Sequence, residues 1–394
     1  MFPDKGSFYV RSFGRFTRQW KLWNTHLPNV TPYYAVKCNP DPLVLQWVYD
    51  AGGSFDCASA REMVLVKEQF GKRPVGDQVL FANPCKTNND ITYAKQIHVP
   101  WVTADSMEEL VKMSDAHYKP KVLLRIAVED SGSACPFTEK FGLYKDEVQQ
   151  VARVAKQLQI PIVGLSFHVG SGSKDPTAFR SAIQESKRVW TTLQKLSLVA
   201  SFQVLDIGGG WSYDESTFLQ QANFTKRGLL ESGNTPVRLI AEPGRFFAAP
   251  VQDLYAKVIG KKPKKDGGWR YTIDESIYGQ FSCIPYDHAK PRIARVCLSE
   301  TDKVSRRKSS ATIFGRTCDS LDWIANSVYM EELEVGDWLY IPDMGAYTVT
   351  TSTEFNGFPK PVTIDSDIRL AEPHLQWIDT LHFPLASMLK VPSS

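Results

Sequence analysis

The chain has 394 residues, 43% of them apolar, enough to fill two domains or one large barrel with an appendage. Its 46 basic and 43 acidic residues leave a formal charge of +3, too balanced for nucleic acid or a membrane surface to be the main partner. No apolar run approaches the length of a membrane span, and the charge-interrupted N-terminus lacks the core of a secretory signal. The seven cysteines show neither CxxC pairs nor zinc-ligand spacing, so the expectation is a cytoplasmic protein with free thiols and no metal site.

From about residue 30 to 245, short β-like runs alternate with segments of helical period. In chain order the runs are "VTPYYAVK", "GSFDCAS", "QVLFANP", "WVTAD", "KVLLRIAV", "IVGLSFHVG", "FQVLDIGGG" and "VRLIAEPGR". Between them, "DEVQQVARVAKQLQI" places Val148, Val151, Ala152, Ala155 and Leu158 on one helical stripe. Alternating strand and helix imply parallel pairing, and eight units can close on themselves. The prediction is an α/β fold with a (β/α)8, TIM-like barrel over residues 13–250; an open doubly wound sheet is the other topology the pattern allows.

Beyond residue 250 the texture changes to "LYAKVIG", "RYTIDES", "RIARVCL", "SATIFG" and "DWLYIPDMGAYTV" with Pro/Gly-rich joints. This predicts a second, β-rich domain, sandwich-like or barrel-like, over residues 251–394. Residues 1–12 join it, because the early run "SFYVRS" reads as a strand that can return there. Two basic clusters, Lys261, Lys262, Lys264, Lys265 and Arg306, Arg307, Lys308, read as solvated loops. From about Ile364 the chain has no clear period.

A (β/α)8 barrel forms its active site at the C-terminal ends of its strands. Those ends carry Lys37, Asp56, Asn83, Asp105, His168, the run Gly208-Gly209-Gly210, and Glu242 with Arg245. Each has a plain structural reading as well: Lys37 as a strand reaching water, Asp105 as a helix cap, His168 as a satisfied core histidine. "DIGGGW" lets backbone amides approach an anion, and "AEPGRFF" adds a glycine and a guanidinium suited to phosphate. Neither is a Walker A loop or a dinucleotide fingerprint. An amine nucleophile, a phosphate anchor and an acid together suit pyridoxal phosphate. Glu242 would then meet the ring nitrogen and His168 the ring face.

At this point the motifs resemble a known family. "YYAVKCNP", "FDCASAREM", "FANPCK", "SFHVGSGS", "LDIGGGW", "AEPGRFF", "IYGQFSCIPYDHAKP", "GRTCDSLDWI" and "DMGAYTVTTSTEFNGF" stand in the order of the eukaryotic-type ornithine decarboxylases. These belong to the barrel-type pyridoxal-phosphate decarboxylases acting on basic amino acids and diaminopimelate, and the resemblance covers about residues 7 to 360. It implies that Lys37 is the Schiff-base lysine and that Glu242 meets the ring nitrogen. It places Asp56, His168, Ser171, Gly208, Gly209, Gly210, Pro243, Gly244, Arg245 and Tyr347 around the cofactor. Cys318 matches the thiol that protonates Cα, and Asp287 and Asp319 match the acids that hold the distal ammonium, with Tyr278 and Tyr286 beside the substrate.

The implied activity is decarboxylation of L-ornithine to putrescine and CO2 in polyamine biosynthesis. Preference for lysine or arginine, or a silent regulator resembling antizyme inhibitors, are the alternatives. The resemblance further implies a head-to-tail homodimer in which Cys318 and Asp319 complete the partner's site, and an antizyme-like regulatory protein as a further partner. One departure stands out. Where animal-type members carry an arginine that pairs with the acid of "FDCAS", this sequence has Pro136, so Asp56 is expected to pair with Arg125 or another cation.

Overall fold

The computed structural model describes residues 6–70, 78–233, 237–297, 306–365 and 374–377. Among them the strands are β1 (Phe8–Arg11), β2 (Val30–Ala35), β3 (Ser54–Cys57), β4 (Val79–Phe81), β5 (Trp101–Ala104), β6 (Lys121–Arg125), β7 (Ile162–Ser166), β8 (Val204–Asp206) and β9 (Arg238–Ala241). Then come β10 (Gln252–Pro263), β11 (Trp269–Ile273), β12 (Ala294–Cys297), β13 (Lys308–Phe314), β14 (Trp323–Glu331), β15 (Trp338–Ile341), β16 (Val362–Asp365) and β17 (His374–Trp377).

The chain divides into two compact units, residues 18–247 and residues 1–17 with 248–394. In the first, β2 to β9 pair in sequence as a closed parallel barrel, and β2 meets β9 through Val30↔Leu239, Thr31↔Ile240 and Pro32↔Ala241. These are the eight runs read from the sequence, so the closed topology holds and the open sheet does not. Inside, Tyr33, Leu80, Leu123, Val163, Val204 and Ile240 form one buried layer. Each such side chain contributes about 1.5–3 kcal/mol by leaving water. Helices on the outside start on chemical signals. Asp41 accepts from Leu43 N and Val44 N to cap Pro42–Asp50, and Thr87 with Asp90 forms a capping box for Asn88–Gln96. The helix Lys145–Gln157 buries Val148, Val151, Ala152 and Ala155 of the expected stripe, while Leu158 lies just past its end as the half-buried C-cap residue.

The second unit carries a mostly antiparallel sheet of nine strands, ordered β14-β13-β11-β10-β15-β12-β17, with β1 pairing both β10 and β16. β10 lies beside β1 and β15 over its first half and beside β11 over its second, switching at a bulge between Val258 and Gly260. Its core gathers Leu254, Val258, Tyr271, Ile313, Leu339 and Ile341.

Three readings need correction. β14 was not among the expected runs, because Ser327 at φ +53° and register shifts against β13 break the alternation of "WIANSVYME". The run "DWLYIPDMGAYTV" is a strand only through Ile341, and Tyr347 sits in a turn at φ +54°. The basic clusters lie at strand ends as much as in loops: Lys261 belongs to β10 and pairs with Glu334 at 2.7 Å, and Arg306 pairs with Asp337 at 2.5 Å. Most of the tail beyond Ile364 lies outside the described residues.

Candidate active site

β2 ends at Ala35, and a single 3-10 turn, Val36–Cys38, follows it with Val36 and Cys38 buried. That turn fixes the backbone of Lys37 at the barrel mouth. Its side chain is 43% exposed, and Nζ donates to Asp56 Oδ2 at 2.6 Å, the carboxylate being wholly buried in β3. The amine therefore faces the mouth while its counter-ion stays in the wall. Asp56 Oδ1 is buried with no hydrogen-bond donor.

β8 ends on Asp206, also wholly buried, whose Oδ1 accepts from Gly208 N at 2.9 Å. Oδ2 meets no donor nitrogen or hydroxyl, and its neighbour is the Glu242 carboxyl, one residue beyond β9. Two carboxyls this close and this dry cannot both ionise. Burial, then the charges of Asp206 and Asp56, push Glu242 well up; burial, then Asp56, raises Asp206 to about 7. The pair therefore holds its protons to a higher pH than solvated carboxyls would.

His168, two residues beyond β7, accepts from Gly170 N through Nδ1 at 2.9 Å, which fixes the proton on Nε2. Burial, then the charges of Arg125 and Lys37, hold it well below the usual imidazole range. Arg125 closes β6 and lies over the Phe141 ring at 4.9 Å. Burial lowers its pKa while Glu242, Asp105, Asp206 and Asp56 raise it, so it joins Lys37 as a cation of this acidic mouth.

The glycine turn is set by close approach. A Cβ at Gly208 would stand 1.9 Å from Phe167 O, and one at Gly210 2.6 Å from Gly170 O. Both hold positive φ, 63° and 99°. Trp211 Nε1 donates to Gly208 O at 2.9 Å and stacks on Phe179 at 4.0 Å, pinning the turn from behind. Glu242 N donates to Gly208 O, and Pro243 O accepts from Ala35 N, so "EPGR" is tied to both the glycine turn and the lysine strand. Gly244 lies against Cys38 and Ala35, and Arg245 Nη2 donates to Ser171 Oγ at 3.1 Å.

These residues fit pyridoxal phosphate. The orphaned Asp56 oxygen, the raised Glu242 carboxyl, the exposed amine and the Arg245–Ser171 pair beside glycine turns match an aldehyde, a ring nitrogen and a phosphate. Two other strand-end residues are structural. Asn83 bridges Ala58 O and Cys85 N, and Asp105 accepts from Gly142 N while Ser106 caps the following helix. Among the described residues no cluster of His, Cys, Asp and Glu could hold a metal ion.

The second unit holds the remaining candidates. Cys318 is exposed, and its N donates to Asn356 Oδ1 at 3.0 Å. Tyr278 OH donates to Asp319 Oδ2, and the Tyr278 ring packs on Phe355 at 4.6 Å. That bond pushes Tyr278 up to about 12 and, with Leu321 N, keeps Asp319 low. Buried Asp322 fastens the turn: Oδ2 accepts from Thr317 N and Oγ1, and Oδ1 from Ile277 N. Asp287 ends the short helix Cys283–Asp287, and Tyr286 beside it is 68% exposed. The sequence reading did not assign Asp206 or Asp322 to the site, and it named Arg125 only as a partner for Asp56, whose hydrogen-bonded cation is Lys37. A charge inside the apolar run "VLDI" and the second acid of "TCDSLD" were the available signals.

Residues 13–249 match the family model described as "Pyridoxal-dependent decarboxylase, pyridoxal binding domain". The chain is 40% identical to an ornithine decarboxylase of Schizosaccharomyces pombe, covering 93% of this chain and 85% of that protein. It is 39% identical to an ornithine decarboxylase of Caenorhabditis elegans, covering 91% and 87%. Among solved structures, the arginine decarboxylase of Paramecium bursaria Chlorella virus superposes with a TM-score of 0.85 at 35% identity, covering 92% and 96%.

Proposed function

The chain belongs to the pyridoxal-dependent decarboxylases, and from that premise we propose that it converts L-ornithine to putrescine and carbon dioxide with pyridoxal 5'-phosphate in the barrel mouth. The observation that carries this reading is the Lys37–Asp56 pair, an amine at the mouth on a buried counter-ion, within electrostatic reach of Glu242. When bound there, the cofactor supplies the electron sink for the pair left on Cα as the carboxylate departs.

The chain's own groups do the rest. Lys37 anchors the cofactor through Nζ, and Asp56 orients that amine. Glu242, backed by Asp206, offers a proton at the ring nitrogen, and His168 faces the ring. Arg245, Ser171, Pro243, Gly244, the Gly208–Gly210 turn and Tyr347 receive the phosphate. Cys318 Sγ gives a proton to Cα. Asp287 and Asp319, lined by Tyr278 and Tyr286, pair with the distal ammonium. One methylene more is worth only about 1–3 kcal/mol in such a pocket, so lysine should be a slow substrate.

We further read the chain as a cytoplasmic, head-to-tail homodimer in which Cys318 and Asp319 of one copy complete the site of the other, with an antizyme-like regulator as a further partner. The exposure of Cys318 and Tyr286 supports a surface that a second copy covers. Free cysteines throughout the described residues fit a reducing compartment, and among those residues no helix is long and apolar enough to cross a membrane.

Carbon dioxide release from labelled ornithine, with and without added cofactor, tests the activity. Release should depend on the cofactor and vanish with Lys37→Ala; a colourless protein with no release would favour the silent regulator. Mixing inactive Lys37→Ala and Cys318→Ala proteins tests the dimer. With random exchange about a quarter of the activity should return, and none if each site is built within one chain.

A further inference from the structure

The segment 129–142 carries Pro136, the departure noted above, and Phe137 beside it. It is not loose. Ala134 N and Cys135 N donate to Ser171 O at 3.1 Å, and Ser171 N donates to Cys135 O at 3.1 Å, an antiparallel bridge that ends directly before Pro136. Directly after it, the buried Asp130 carboxylate accepts from Phe137 N at 2.5 Å and Thr138 N at 2.9 Å, and Thr138 Oγ1 donates to Val128 O at 2.8 Å. Proline fixes its own φ between these two anchors. Phe137 is thus held on both sides, and its ring meets the His168 imidazole edge to face, centroids 4.9 Å apart at 75°.

The imidazole is held on two other sides by backbone. Gly170 N donates to Nδ1, and Gly209 leaves so little room that a Cβ there would stand 2.6 Å from Nε2. Phe137 closes the third side. Resting on the reading of His168 as the group that faces the cofactor ring, we propose that Phe137 is a positioning residue: held by Asp130 and Pro136, it clamps the His168 ring in the plane that keeps Nδ1 on Gly170 N, and a ring free to swing off that bond would lose the single tautomer with it. The Asp130–Phe137 strap thereby contributes to cofactor retention.

The test uses the full chain with Phe137→Ala, Phe137→Leu and Phe137→Tyr. In Phe137→Ala, cofactor dissociation should quicken about tenfold, since an aromatic pair of this geometry is worth up to that factor. The visible circular dichroism per bound cofactor should fall, and KM for ornithine should stay within about twofold, because the ammonium-binding acids are carried by other elements. Phe137→Tyr should restore the wild-type signature. Phe137→Leu, which fills the volume without a ring, should fall between and carries the test if the alanine variant does not fold. A second readout needs no cofactor. Nitrogen NMR of the cofactor-free protein should show His168 as one Nε2-protonated tautomer, and a mixture in Phe137→Ala. Wild-type dissociation, dichroism and tautomer in both the alanine and leucine variants would overturn the clamp. A wild type that takes up no pyridoxal phosphate would instead refute the cofactor reading, and the tautomer measurement would still decide the clamp.

Discussion

The barrel mouth and the Cys318 turn are built on opposite plans. At the mouth, Asp56 and Asp206 are wholly buried, Glu242 and His168 are pushed far from their ordinary pKa values, and the backbone ties Glu242 and Pro243 to the glycine turn and β2. On the other unit, Cys318 and Tyr286 stand exposed, and buried Asp322 accepts from backbone amides and one hydroxyl that shape the turn. A site that must hold a cofactor and its charges needs dry, preorganised groups from the start. The Cys318 turn is rigid where Asp322 ties its backbone and leaves the thiol open.

The largest effects should separate these plans. Lys37→Ala should abolish covalent cofactor retention and lower turnover by on the order of a thousandfold or more. Cys318→Ala should leave the cofactor band intact and still lower kcat by about a hundredfold, the usual scale for a lost general acid. Loss of the band in both variants, read by absorbance after gel filtration, would show that the two regions are not independent.

Next in size, Asp322→Ala strands Ile277 N, Thr317 N and Thr317 Oγ1. It should cost about 2–4 kcal/mol, read by denaturant unfolding, without altering cofactor affinity of the barrel. A stability within about 0.5 kcal/mol of wild type would mean that the turn is not held by this acid.

The smallest effect is a pH slope. Asp206 is raised to about 7 from 3.8 by burial, so the folded, cofactor-free protein keeps a proton that the unfolded chain has lost between those values. Its contribution is full below about pH 4 and is lost as pH rises through 7, at up to about 1.4 kcal/mol per unit. Thermal melts of cofactor-free protein from pH 5 to 8 should show this decline, and Asp206→Asn should make it shallower, leaving the part that the raised Glu242 carries. An unchanged slope in the variant would assign the proton elsewhere.

The barrel was legible because its eight strands are short, mostly apolar runs with polar residues at or just beyond their ends, and the 3.6-residue stripe of helices such as Lys145–Gln157 is clear. What escaped was set by local exceptions. β14 is broken by Ser327 at positive φ, and Tyr347 sits in a turn that its flanking valine and threonines disguise as strand. Asp206 was overshadowed by the glycines it supports, and the partner of Asp56 turned out to be Lys37 itself, at 2.6 Å. A carboxylate buried among apolar residues leaves one letter in the sequence, whereas its importance lies in which distant carboxyl it faces.

The most direct test of the account is kcat/KM for ornithine, lysine and arginine on cofactor-loaded protein. Ornithine should be preferred to lysine by about tenfold or more, as one methylene allows, with arginine behind both. A preference for lysine or arginine, or no carbon dioxide from any of the three, would contradict it.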